Sequence, residues 1–416
     1  MNLSPEWKLL LASARTNLTD QDLQQIIQDL VRPDLDWDHI VTVSYAHGIA
    51  PLIYHGLRRS RVISLIPPAA AEKLRQSYYA NAARNCYLRD KLRNVLKMLT
   101  KERIETLVLK GAALMENVYG DRALRPMADI DLLVRKEKLT QVEAQLLNSG
   151  YFMLEECLTN KEWRYEHHSN WHFGESSGLR IEVHWRIKRD GDPFKIDLDG
   201  MWQRAQPRTF AGIETLVFCP EDMLLHLCQH AWNHNLTGGL RPLCDIAEVT
   251  KCYKDKIDWG KLAALSNQWQ MNPCLYLWLR LARDLLEAPI PDPFLAGLEP
   301  ANFNRDVISW AKERILASRD SAEVSPDFVQ LFWKGYSLKD RWAALRKTLS
   351  PRTVTAQGSA ASIRTFLYYP LRIKHLLIRY APVAWGLLTA DQKITAAAQK
   401  EENQQRLTKW LSSGHQ

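Results

Sequence analysis

The run Met127-Ala128-Asp129-Ile130-Asp131-Leu132-Leu133-Val134 sets two carboxylates one residue apart at the head of an apolar stretch. Strand side chains alternate between faces, so Asp129 and Asp131 project together while Ile130, Leu132 and Val134 pack on the other side. Parallel carboxylates repel each other unless a cation sits between them. Hard divalent ions favour that oxygen-rich arrangement, usually with phosphate oxygens completing the shell. Upstream, Ile104 to Leu109 is a β-rich run ending at Lys110-Gly111, and Ala112 to Val118 has helical character. Glycine allows close backbone approach, and a helix start offers free N–H groups to phosphate. Leu179-Arg180-Ile181-Glu182-Val183-His184-Trp185 alternates again, with Ile181, Val183 and Trp185 on one face and Arg180, Glu182 and His184 on the other. Laid beside the Asp strand, Glu182 would join Asp129 and Asp131 around one or two metals, the clamp that stabilises both oxygens of an in-line phosphoryl displacement. The bland alternative makes the Asp pair a turn or helix start, Glu182 a solvated strand residue and Lys110 a solvated strand-end lysine.

These residues resemble the nucleotidyltransferase superfamily that includes DNA polymerase beta, and most closely its uncharacterised nucleotidyltransferase family. The resemblance rests on Lys110-Gly111, Tyr119, Arg125, Asp129 to Val134 and Ile181-Glu182-Val183-His184-Trp185. It extends to Asp36-Trp37-Asp38, Ala46-His47-Gly48-Ile49-Ala50-Pro51-Leu52, His226 to His230 and Leu240-Arg241-Pro242-Leu243-Cys244-Asp245-Ile246, about the first two thirds of the chain. Two departures stand out: Lys110-Gly111-Ala112 replaces the usual Gly-Ser turn, and the gap from Gly111 to Asp129 is long. The resemblance implies an α/β fold of the polymerase-beta-like type, a small mixed sheet with helices. It also implies transfer of an NMP group from an NTP to an acceptor hydroxyl, phosphate or carboxylate, releasing pyrophosphate. Asp129, Asp131 and Glu182 would hold Mg²⁺, with Mn²⁺ as the alternative, and Glu182 would complete that site or help deprotonate the acceptor. Lys110 and Gly111 would cradle the phosphates, and Arg125 would neutralise the leaving pyrophosphate. His184, His230, Arg241 and Asp245 would face the substrate or support the site, with Asp245 either a base or an acceptor contact, or a structural partner of Arg241 four residues away on a helix.

The expected organisation is a helical region over 1–100, a transferase core over 101–219, a helical bundle over 220–317 and a basic, aromatic helical region over 318–416. Strands are expected at Asp129 to Val134, Tyr151 to Leu154, Trp171 to Phe173, Arg180 to Trp185 and Thr215 to Phe218. Seven Cys without a CxxC pair favour buried thiols over a disulfide framework. No signal peptide or run of about twenty apolar residues is evident, so a cytoplasmic protein is expected. The net charge of +8 suits an anionic substrate. Serine hydrolase, P-loop and dinucleotide-binding motifs are absent.

His226, His230 and His234 share a helical face, a spacing that can bind Zn²⁺, although a helix packed against the sheet with His230 hydrogen-bonded near the active site is the better reading. His167, His168 and His172 flank Trp163 and Trp171 and could line a cleft. Between 331 and 380, ten Lys/Arg stand against one acid, interleaved with aromatics. Such a segment suits peripheral contact with an anionic membrane, with nucleic acid as the weaker alternative, or is simply a helical tail with a solvated basic face. A non-catalytic nucleotide-binding or scaffold protein on the same fold is the alternative function.

Overall fold

The computed structural model describes residues 3–27, 35–153, 168–174, 179–188, 192–233, 236, 238–301 and 303–316, with isolated positions between 399 and 410. Residues Met1–Leu316 form one compact unit, and Ala317–Gln416 a second. Residues 318–327 and 350–362, which read as loops from their Ser, Pro and Gly content, lie outside the described residues, as do the basic segment 331–380, Cys157, Trp163, His167 and His234. Among the described residues no helix is long and apolar enough to cross a membrane, and all six described cysteines are free thiols.

Helices open the chain, each started by local chemistry. Ser4 caps α1 (Pro5–Ser13), Thr19 and Asp22 form a capping box at α2 (Asp20–Gln25), and Asp36 accepts from His39 N at the start of α3 (Trp37–Ala46). A left-handed turn at Gly48 leads to α4 (Ala50–Arg59), and the long α5 (Pro68–Lys101) follows. Leu88, Leu92, Val95, Leu96 and Leu99 recur at three and four positions along α5 and bury one stripe against the sheet.

The sheet has seven strands in the order β3-β4-β5-β2-β1-β7-β6. They are β1 (Thr106–Val108), β2 (Ile130–Val134), β3 (Tyr151–Phe152), β4 (His168–Phe173), β5 (Leu179–His184), β6 (Gln206–Phe210) and β7 (Ile213–Val217). Helix α6 (Lys110–Asn117) follows β1, α7 (Leu139–Asn148) follows β2, and α8 (Leu198–Arg204) precedes β6. Pairing is mixed: β2 runs antiparallel to β1 but parallel to β5, and β1 runs parallel to β7. On one face Ile130, Leu132, Val134, Ile181 and Val183 pack with Val142 and Leu146 of α7 and the leucine stripe of α5. All five residues of β2 are buried. The alternation therefore separates an apolar layer from a polar cleft, not core from solvent.

Strand β6 was not expected from the sequence, because Pro207 within it argues against a central strand. It is an edge strand, where a missing N–H costs no ladder bond. Ala211 and Gly212, at φ 48° and 83°, make the two-residue connection to β7, pairing Phe210 with Ile213. The helical wall comprises α9 (Pro220–Asn233), α10 (Arg241–Cys252), α11 (Trp259–Gln268), α12 (Asn272–Leu286), α13 (Asp292–Leu298) and α14 (Asp306–Leu316). Helices α9, α10 and α12 pack on one another, and α12 also meets α1, tying the two ends of the unit together.

Candidate active site

Parallel pairing of β2 with β5 sets Asp131 directly opposite Glu182 and Leu133 opposite His184. Neighbouring strands lie about 5 Å apart, so facing carboxylates in register must share a counter-charge. Strand β4 extends the same face, with Asn170 opposite Glu182 and His168 opposite His184. Asp129 ends the loop just before β2, one residue short of the strand expected to contain it.

The acids are held by bases. Lys110 Nζ donates to Asp131 Oδ1 at 2.6 Å and lies 3.9 Å from Glu182 Oε2. His184 Nε2 lies 3.0 Å from Asp131 Oδ1 and 3.4 Å from Glu182 Oε2, its ring tilted at 33° against that of His168. Arg180 pairs with Asp129 and reaches Glu182 Oε1 at 3.3 Å. Burial opposes the charge on Asp131, but Lys110 and His184 overcome it and hold the carboxyl well below the usual range. Glu182 is lowered too: burial and Asp131 oppose its charge, while His184 and Lys110 favour it. Burial, reinforced by His184, pushes the His168 imidazole down to about 4. Burial and Lys110 push His226 down to about 3. Both are neutral at physiological pH.

Asp131, Glu182 and His184 bring ligand atoms within 4.8 Å of one another, a set that could hold a metal ion. Two carboxylates and an imidazole suit a divalent cation, and the Lys110 ammonium already lies between the two acids. Asp129 lines the same cavity with its charge turned to Arg180. His226 and His230 also line it, but they form no metal-ligating group among the described residues.

Lys110 opens α6 with a left-handed backbone, φ 42°, at the strand-to-helix junction, an uncommon conformation for a side-chain-bearing residue. Gly111 follows where any larger residue would force Arg125 to move. A Cβ there would run into Arg125 Nη1 and lie 3.0 and 3.1 Å from Met127 Cγ and Sδ. The loop between α6 and β2 is pinned by α5: Asn85 Nδ2 donates to the carbonyls of Arg122 and Arg125 at 2.6 and 2.9 Å, and Arg84 reaches the Ala128 carbonyl. The long gap from Gly111 to Asp129 thus holds α6 and then a pinned loop that delivers Arg125. Gly111→Val is expected to displace Arg125, costing about 1–3 kcal/mol of stability in chemical denaturation and weakening nucleotide binding. An unchanged unfolding midpoint would show that the loop yields freely.

Asp245 is buried, and its carboxylate is taken from two sides. Arg125 donates to it through Nε and Nη2 at 3.1 and 2.9 Å, and Tyr119 OH donates at 2.8 Å. The surface pairing with Arg241 suggested by the i,i+4 spacing gives way to this buried fork, because the loop carrying Arg125 and Tyr119 packs over α10. Tyr119 is correspondingly shifted well above the usual phenol range by its burial and by Asp245.

Lys110, Gly111, Arg125, Asp129, Asp131, Glu182, His184, His230 and Arg241 all line one cavity of about 430 Å³. Of the residues expected at the site, Asp245 alone stands behind the wall. Asn170, Arg180, His168 and Gln229 line the cavity as well. The alternation of His168, Asn170 and His172 with Ser169, Trp171 and Phe173 carried the signal for the first of these. Only strand pairing could show Arg180 as the partner of Asp129.

A mixed sheet with facing acids in a polar cleft closed by helices is the frame of the site. The chain belongs to the uncharacterised nucleotidyltransferase family, which it matches over residues 33–287. No curated protein shows a match to it. The matched span contains every residue of the cavity, together with Asp36 and the turn at Gly48.

Proposed function

We propose that this protein is a metal-dependent nucleotidyltransferase that moves an NMP group from an NTP to an acceptor and releases pyrophosphate. The observation that carries this reading is the in-register pair Asp131 and Glu182, facing a polar cavity at the start of α6. Asp131 and Glu182 would be the central ligands of Mg²⁺ or Mn²⁺. Asp129 would join them as Arg180 turns to the phosphates, and His184 would hold Asp131 in position. When bound, the cation supplies charge stabilisation to the triphosphate and to the leaving oxygen. The acceptor oxygen attacks the α-phosphorus, the bond to the β-phosphate bridge breaks, and the acceptor proton passes to Glu182 or solvent. Gly111 keeps the backbone open to the triphosphate, and Lys110 neutralises it after leaving Asp131. Arg125 supports the pyrophosphate end, and the engagement of Asp245 by Arg125 and Tyr119 favours a structural role over that of a base.

Thermal-shift measurements with each of the four NTPs, with and without Mg²⁺ or Mn²⁺, test the reading. Metal-dependent stabilisation by at least one NTP is expected, followed by pyrophosphate release when acceptors are supplied. No stabilisation by any of the four would rule it out.

Lys110 gives a sharper test, because it competes with the cation for Asp131. Lys110→Met is expected to weaken triphosphate binding about tenfold, the loss of one charge-assisted contact. The same change should tighten Mn²⁺ binding measured alone by calorimetry. Loss of affinity for both would show that the lysine and the cation do not compete.

A further inference from the structure

Among the described residues the cavity's ionic side chains pair off with one exception. Lys110 is matched to Asp131, Arg180 to Asp129 and Glu182, and Arg125 to Asp245. Among the described residues no carboxylate lies within ion-pair distance of Arg241, although its side chain is part-buried and lines the cavity. Burial and the neighbouring Arg125 act against its charge and outweigh the pull of the more distant Asp245 and Asp129, so the guanidinium is pushed down from its usual range. An arginine does not escape this cost by losing its proton at ordinary pH. A guanidinium held beside another guanidinium, with no carboxylate in direct contact among the described residues, is a charge waiting for an external partner.

Its position is built, not accidental. Arg241 is the first residue of α10, and its stem packs on the turn between α3 and α4. A Cβ at Gly48 would lie 3.5 Å from both Arg241 Cδ and Nη1. Gly48 has φ +65°, so the turn itself favours glycine. The neighbouring His47 Nδ1 accepts from Leu240 N at 3.2 Å, fastening the turn to the start of α10. Two distant sequence segments, around 47–48 and 240–241, thus cooperate to hold one side chain in the cavity wall.

We infer that Arg241 is an oxyanion subsite, binding a phosphate-type group of the ligand by forked hydrogen bonds. Resting on the transferase reading, that group is either the triphosphate tail of the NTP or an anionic group on the acceptor. In the first case Arg241 helps seat the nucleotide. In the second it makes the site select phosphorylated or carboxylated acceptors over neutral alcohols.

Calorimetry and thermal unfolding of the full chain test this with Mg-tripolyphosphate, and with inorganic phosphate added to protein saturated with a non-hydrolysable NTP analogue. Arg241→Gln is expected to lose about tenfold or more in affinity for one of these probes, with Arg241→Lys intermediate because it keeps the charge without the fork. The unliganded Gln variant should unfold no earlier than the parent, since the charge it removes has no internal partner. A loss confined to tripolyphosphate assigns the subsite to the NTP tail, and a loss confined to phosphate in the NTP-bound protein assigns it to the acceptor. Unchanged affinity for both probes, or earlier unfolding with binding intact, overturns the inference and makes Arg241 a structural residue. Phosphate binding through Arg241 in a protein that binds no NTP would keep the subsite and reject the transferase reading instead.

Discussion

Asp131→Asn is expected to abolish divalent-cation binding by calorimetry and to lower nucleotidyl transfer by about a thousandfold or more. The magnitude follows from the several kcal/mol of charge stabilisation that a correctly held metal ion supplies, each 1.4 kcal/mol being tenfold in rate. Asp131 sits where Lys110 and His184 converge, at 2.6 and 3.0 Å, opposite Glu182 across the ladder. Asparagine is nearly isosteric, so the strand should survive, and circular dichroism should confirm it. Asp129→Asn should be the milder change for the cation alone, because Asp129 is held by Arg180 at the cavity's edge. A variant of Asp131 that binds Mn²⁺ and Mg-NTP like the parent would remove the metal site from this strand pair.

Asp245→Asn is expected to destabilise the fold by about 3–5 kcal/mol, the cost of leaving a buried guanidinium without its carboxylate. Both Arg125 donors and the Tyr119 hydroxyl converge on Asp245, and together they join the loop after α6 to α10. Equilibrium denaturation should show the loss directly, and Arg125→Met combined with Asp245→Leu should recover part of it, because the unpaired charge is then gone. The experiment also separates two roles for the same residue. An unchanged unfolding midpoint with transfer abolished would make Asp245 a base or acceptor contact after all.

Much of the site was legible in the sequence because strand geometry has a period of two. The order apolar, acid, apolar across Ile130-Asp131-Leu132 and Ile181-Glu182-Val183 tells which side chains share a face before any partner strand is known. Most strand ends were read to within a residue or two, as with Asp129 just outside β2, but β4 begins at His168, three residues before the apolar signal at Trp171. Edge strand β6 escaped because Pro207 masks a local pattern that tolerates proline only where one side of the strand has no neighbour.

By itself the sequence determined the chemistry available here: two acidic strand faces, a lysine-glycine turn, and the arginines and histidines of the later helices. Tertiary structure decided which of them meet. The parallel register of β2 and β5 set Asp131 against Glu182, and packing of the α6–β2 loop on α10 gave Asp245 to Arg125 instead of to Arg241. The turn at Gly48 then left Arg241 facing the cavity with no ion-paired acid among the described residues. Faces follow from local backbone periodicity, which every residue carries within its own segment. Partners follow from contacts between segments far apart in the chain, and those exist only once the sheet and the helical wall have closed around the cleft.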